Sequence, residues 1–158
     1  MSSAVQNFVA EWDGILGYAG LNNFYLYRFN AKPLHQFIPW DKDNTFFSID
    51  YPIQQGLNEN VLSRRAMQVP ELRELYLDTL VECANLADQI DEGTTQGRLE
   101  REVLREQALI WESALSDTSK PFTNDQFSAA SSFMLQFAET RGQLVRCEVA
   151  KVRGQPCQ

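Results

Sequence analysis

The spacing of apolar positions changes character once along the chain. Phe24 to Phe29 and Leu34 to Ile38 are short aromatic or aliphatic runs, separated by Asn30-Ala31-Lys32-Pro33, a composition that turns tightly. Two such runs bounded by turn residues predict an antiparallel hairpin over about 24–38. From about residue 60 to 150 the apolar residues recur at three- and four-residue steps, the spacing of one helix face. Asn60 to Gln68 predicts a short helix. Pro70 then opens a longer one, with Leu72, Leu75, Tyr76, Thr79, Leu80, Cys83 and Leu86 as its buried stripe. After a polar break at Asp91 to Gly97, the segment Arg98 to Leu115 predicts a helix with a wet, charged face, packing through Leu99, Val103, Ile110, Trp111 and Leu115. Thr123-Asn124-Asp125-Gln126 has the form of a capping box. It opens a last helix with Phe127, Ala130, Phe133, Met134, Phe137, Leu144 and Val145 inward. Ahead of the hairpin, Met1 to Ala10 reads as an amphipathic helix with Val5, Phe8, Val9 and Trp12 on or near one side. The fold class expected is α+β, mostly helical, in one domain over residues 1–158 with no internal repeat.

Composition supports a packed domain and removes several functions. A chain of 158 residues that is 44% hydrophobic buries a real core. A net charge of −7 argues against nucleic acid as a partner, because the phosphate backbone demands a basic face. No apolar run approaches the roughly 18 residues that span a bilayer, and no basic region heads a signal peptide. Cys83, Cys147 and Cys157 lack metal-ligand spacing, and the lone His35 completes no zinc set. Cys83 and Cys147 fall in helical patterns and read as buried apolar fillers, whereas Cys157, in a Gly-Gln-Pro-Cys tail, is free to pair.

Candidate chemistry sits at the end of the hairpin. In Phe37-Ile38-Pro39-Trp40-Asp41-Lys42-Asp43-Asn44 an extended backbone aims alternate side chains the same way, so Asp41 and Asp43 would present both carboxylates together. Paired carboxylates suit Mg²⁺ or Mn²⁺, hard cations that take one or two protein carboxylates and leave the rest of their shell to water and phosphate oxygens. Upstream lie Glu11-Trp12-Asp13-Gly14 and Asn22-Asn23-Phe24. The hairpin starts beside Asn23 and ends beside Asp41, so antiparallel pairing brings these residues together in space.

An aspartate, an asparagine opening an apolar strand, then an aspartate after a second strand is the order used in the C-terminal lobe of protein-kinase-like phosphotransferases. The matching text is Trp12-Asp13-Gly14, Asn23-Phe24-Tyr25-Leu26-Tyr27-Arg28 and Phe37-Ile38-Pro39-Trp40-Asp41-Lys42-Asp43. It resembles the spore-coat protein CotH kinase family, whose pattern runs Trp-Asp-Gly, Asn-Tyr-Tyr-Leu-Tyr-Arg, a short turn, then Phe-Ile-Pro-Trp-Asp-x-Asp. Asn60 to Arg65 and Val69 to Tyr76 look like the family's helical segment beyond the site. Farther on, the resemblance continues as a pattern of helices ending near Phe137 to Arg141, where the family also carries an aromatic residue and an arginine.

The resemblance implies an atypical kinase using ATP and Mg²⁺ or Mn²⁺ to phosphorylate Ser or Thr of a protein substrate. Asp13 would orient the acceptor. Asn23 and Asp41 would hold metal, and Asp43 would be a second ligand or support the first. The interval from Asp13 to the asparagine is longer than in kinases generally, which leaves Asn22 or Asn23 for that role, with Asn23 favoured by its place before the strand. Only Met1 to Trp12 precede Asp13, so the kinase N-terminal lobe, with its phosphate-covering loop and lysine, has no counterpart in this text. The chain is then either part of a longer protein that supplies that lobe or a remnant acting as a non-catalytic interaction module of a coat or cell envelope. A third possibility keeps the nucleotide and transfers a different group. Family habit points to a spore coat, cell surface or exported location. Pro52, Gly56 and Asn58 predict an irregular loop where a kinase carries its acceptor-binding segment, and an ordinary connector is the other reading of it.

Overall fold

In the computed structural model, which describes residues 2–157, the helices begin at the signals the sequence supplies. The elements are α1 (Ser2–Phe8), β1 (Phe24–Arg28), β2 (His35–Pro39), α2 (Val61–Met67), α3 (Pro70–Ala87), α4 (Arg98–Ser116) and α5 (Asn124–Val152). The Asn60 side chain caps α2 by accepting from Ser63 N at 2.8 Å. Pro70 sits in the first turn of α3, where its missing N–H costs nothing. Thr123 Oγ1 accepts from Gln126 N at 3.2 Å while Gln126 Oε1 accepts from Thr123 N at 2.9 Å, the reciprocal capping box expected there. The two strands pair antiparallel, with Phe24 opposite Pro39 and Arg28 opposite His35. The α+β, mostly helical class is thus as expected.

The core forms where α1, α3 and α5 meet, around Phe8, Leu16, Ile53, Leu80, Val145 and Val149. The face α3 turns inward differs from the expected stripe. Leu72, Leu75 and Leu86 are exposed, and Leu77, Ala84 and Ala87 are buried with Tyr76 and Leu80. Small residues let helix backbones approach closely, and Ala84 and Ala87 take that position in place of the bulkier Leu86. Leu72 and Leu75 instead line an apolar groove of about 630 Å³ between α2, α3 and the hairpin. In α1 the buried positions are Ala4, Gln6, Asn7 and Phe8, while Val5 and Trp12 face out. Met1 lies outside the described residues.

At the centre of α5 is Arg141, with no exposed surface. Its Nε donates to Phe8 O at 2.9 Å, Nη2 to Asn7 O at 2.7 Å and Nη1 to Ile49 O at 2.8 Å. Asn7 and Phe8 end α1, where carbonyls lack intrahelical donors, so the guanidinium caps α1 from a distant helix. Burial pulls the Arg141 pKa below its usual value, opposed chiefly by the charge of Glu148.

Two further features bear on the expectations. The segment 51–58 is irregular, as predicted, but Tyr51, Ile53 and Leu57 are buried. Ile53 O accepts from Tyr76 Oη at 2.6 Å and Asn7 Nδ2 at 3.2 Å, and Ile53 N donates to Glu148 Oε2 at 3.1 Å. Alternate residues thus pin this stretch to the core, while Pro52, Gln54 and Asn58 stay exposed. Cys147 is not an apolar filler: it forms a disulfide with Cys157 that ties the tail back onto α5. Spacing along the helix shows a residue's face, and it does not show what the chain beyond the helix returns to meet. Cys83 is free and half-buried, and burial pushes its thiol pKa up.

Arg141→Ala is expected to lower stability by about 3 kcal/mol, since the Phe8 and Ile49 carbonyls lose the guanidinium donor and Asn7 O keeps only its 3.3 Å bond from Ala10 N, at about 1–3 kcal/mol for each group left unsatisfied. Arg141→Lys should lose less. Urea unfolding checks both, and an unchanged midpoint for Arg141→Ala would contradict the cap. In denaturant the chain should take up iodoacetamide at one cysteine without reductant and at three with it. In the native state at pH 8, Cys83 should react more slowly than a free thiol, because a raised pKa leaves less thiolate.

Candidate functional site

Ala10, in the left-handed region at φ 52°, turns the chain out of α1 into Glu11-Trp12-Asp13-Gly14. The stretch after the hairpin runs alongside: Phe46 N donates to Val9 O at 2.7 Å, Phe47 N to Ala10 O at 3.1 Å and Trp12 N to Asn44 O at 2.9 Å. Two loops far apart in sequence thereby become neighbours. Gly17 makes the turn beyond Asp13 possible, because a Cβ there would fall 2.2 Å from the Trp12 carbonyl oxygen. Gly14 has a similar reason: its Cβ would stand 2.7 Å from Glu11 Cδ and 2.8 Å from Gln6 Oε1. Gln6 Oε1 is itself engaged, accepting from Ile15 N at 3.0 Å.

Asp13 is 7% exposed. Its Oδ2 accepts from Asn44 Nδ2 at 2.9 Å, and its Oδ1 is covered and has no hydrogen-bond partner. The same Asn44 Nδ2 donates to Asp43 Oδ1 at 3.0 Å, so one amide bridges the two carboxylates. Asn23 is half-buried and left-handed at φ 53°, and its carbonyl accepts from Trp40 N at 2.9 Å and Lys42 Nζ at 3.1 Å. Lys42 also ion-pairs with Glu11 Oε1. Burial pushes the Glu11 carboxyl pKa up, Lys42 works against that, and the charge of Asp13 adds to it. Tyr51 Oη closes the floor by donating to Glu11 O at 2.9 Å, and burial holds its phenol above the usual range.

The structure therefore gathers Asp13, Asn23, Asp41 and Asp43 around one pair of loops. Asp13 and Asp43 are linked through Asn44, and Asn23 is linked through its backbone to the residues on either side of Asp41. The Asp41 carboxylate and the Asn23 side chain form no hydrogen bond among the described residues, so their oxygens are free to take a ligand. Asn22 is exposed and takes no part in these contacts. The expectation that an extended backbone aligns Asp41 and Asp43 is not met. Strand β2 ends at Pro39, Asp41 is left-handed at φ 49°, and Asp43 and Asn44 lie in a turn. Strand alternation does not apply there.

Three participants had no assigned role from sequence. Glu11, Lys42 and Asn44 stand beside the acidic residues, and the charge order Asp-Lys-Asp-Asn was the available signal for two of them. His35 is exposed on the hairpin, and Arg64 Nη1 donates to Asn58 O at 3.0 Å, a local structural contact.

Comparison with known proteins gives one result. No curated protein and no solved structure matches this chain. The family model described as CotH kinase protein matches residues 3–145, a span that holds every site residue above and most of the helical region. By that match the chain belongs to the CotH kinase family.

Proposed function

We propose that this chain is the acceptor-orienting and metal-holding part of a phosphotransferase that moves a phosphoryl group from ATP to a Ser or Thr hydroxyl of a protein substrate. It corresponds in this reading to a kinase C-terminal lobe. The observation that carries the proposal is Asp13: a nearly buried carboxylate with one oxygen fixed by Asn44 and the other without a donor. A carboxylate so held is oriented before the acceptor arrives.

The donor set fits a hard divalent ion. Asp41 and Asp43 offer carboxylate oxygens and Asn23 an amide oxygen. Among the described residues no three acidic, histidine or cysteine side chains gather into a cage. Mg²⁺ needs none, since it takes one or two carboxylates and completes its shell with water and substrate phosphates. When bound, the ion would neutralise phosphate charge and align the terminal phosphoryl group. The rest falls to the chain's own residues. The Asp13 carboxylate would receive the proton of the acceptor hydroxyl, through Oδ1 once the loops part enough to uncover it, as the acceptor oxygen bonds to the γ-phosphorus and the bond to the ADP oxygen breaks. Asn44 keeps Asp13 Oδ2 and Asp43 in register, and Lys42 keeps the Asn23 and Asp41 loops together.

The exposed apolar surface favours a second reading, a structural or interaction module. Tyr25, Tyr27, Leu26, Ile38 and Trp40 all stand open on the hairpin. Tyr25, Tyr27 and Ile38 share one face by strand alternation, with Trp40 against Tyr25, and grouped exposed apolar side chains of that kind mark a contact site. Nucleotide titration separates the two readings, and the mass added to an acceptor identifies the transferred group.

In the natural gene product, supplied with ATP, Mn²⁺ and a Ser/Thr-rich peptide mixture, Asp13→Ala and Asp41→Ala are each expected to lower phosphoryl transfer by about a hundredfold or more. Asn44→Ala should lower it by about tenfold or more, since the amide's bonds to both Asp13 and Asp43 are lost. Full transfer after the two aspartate changes would overturn the assignment. A natural product that neither binds ATP nor labels the peptides would put the interaction module first.

A further inference from the structure

Lys42 stands between two candidate metal ligands, yet its ammonium turns inward. Nζ ion-pairs with Glu11 Oε1, and Glu11 is 1% exposed with Oε2 unpartnered. Nζ also donates to Asn23 O at 3.1 Å, and that carbonyl accepts a second bond, from Trp40 N, at 2.9 Å. One carbonyl oxygen is therefore gripped from both sides of Asp41. Asn23 and Asp41 are each left-handed, at φ 53° and 49°. Asn and Asp tolerate this region better than other non-glycine residues, and neighbouring contacts hold them in it. Around Asn23 the contacts that do so are those of Lys42 and Trp40.

We propose that Lys42, anchored by Glu11, is a positioning residue that holds Asn23 and Asp41 in the geometry that receives a divalent cation. This rests on the metal-holding reading above. A purely structural role for the pair is a poor account of it. Glu11 is buried and Lys42 half-buried, and an ion pair with a desolvated member, replaced by neutral groups of similar size, often leaves stability unchanged or improved. A carboxylate kept buried with one oxygen unsatisfied is explained by what its partner holds in place.

The test uses the double variant Glu11→Gln with Lys42→Met in the full chain. It removes one positive and one negative charge, so the net charge near the site is preserved and a change in cation affinity reports geometry. Free Mn²⁺ is followed by its electron paramagnetic resonance signal during titration, and Tm is recorded alongside. The double variant should keep a Tm near that of the wild type and bind Mn²⁺ about 10- to 100-fold more weakly, the range for residues that orient metal ligands. Lys42→Arg, which preserves the charge and the donors, should recover most of the affinity. Should the double variant fail to fold, Glu11→Gln with Lys42→Gln, which also removes one charge of each sign, supplies the same comparison. Mn²⁺ affinity within about twofold of wild type in the folded neutral variants would overturn the proposal. A wild-type chain that leaves Mn²⁺ free would overturn the metal reading instead. Exchange of the Trp40 amide hydrogen then judges the Lys42 contact separately: faster exchange in the double variant upholds the grip on Asn23, and unchanged exchange overturns it.

Discussion

The arrangement hangs on the guanidinium of Arg141. Its planar fork of donors reaches the carbonyls of Asn7, Phe8 and Ile49, which belong to segments on opposite sides of the site loops. Residues 9–13 leave from the first of these anchor points, and residues 40–47 arrive at the second. The two loops that bear the candidate chemistry are therefore fastened to one charge in the longest helix. The Phe137 ring lies beneath, with the guanidinium carbon 5.8 Å from its centroid. A cation buried among neutral carbonyls and an aromatic face is costly to desolvate, and three charge-assisted bonds offset that cost.

What the sequence made legible is what local chemistry decides. The hairpin followed from two aromatic runs and a turn, α3 from Pro70, and the α5 start from Thr123 and Gln126. The resemblance to a kinase family rested on contiguous text, and residues 3–145 carry that match. The failures came where a partner lies far along the chain. A hydropathy pattern scores Arg141 as polar and hides it at the middle of an apolar stripe. The inward face of α3 depends on how closely its neighbours approach at Ala84 and Ala87. Lys42 meets Glu11 and Asn23 across 31 and 19 residues, and Asn44 meets Asp13 across 31, separations at which no local rule operates. The alignment of Asp41 with Asp43 failed differently, because it assumed strand geometry two to four residues past the strand's end at Pro39.

Two kinds of cohesion divide the molecule. The helical body is held by buried side chains, with Leu80, Ala84, Phe137 and Val145 wholly enclosed. The hairpin has only Phe24 and Phe37 partly buried, their rings 5.2 Å apart and packed toward the core. It is attached otherwise by directional polar contacts at its base, where Asn23, Trp40 and Lys42 meet. Burial resists displacement in every direction, whereas a few hydrogen bonds define an orientation and yield once it is lost. Placing candidate ligands at that base gives angular accuracy with little support in reserve.

That placement ties occupancy to local order. Asn23 enters the hairpin and Asp41 leaves it, on either side of the closing pair Phe24 and Pro39. Opening the strands would part these two residues while Asp13 stayed with the body. A ligand bound to both would resist the opening to an extent set by the ratio of its concentration to its Kd, and an open hairpin would have no complete site to offer. A ligand that bridged the two residues would thus couple the closing of this small element to its own concentration, each tenfold rise above Kd favouring the closed hairpin by the same increment.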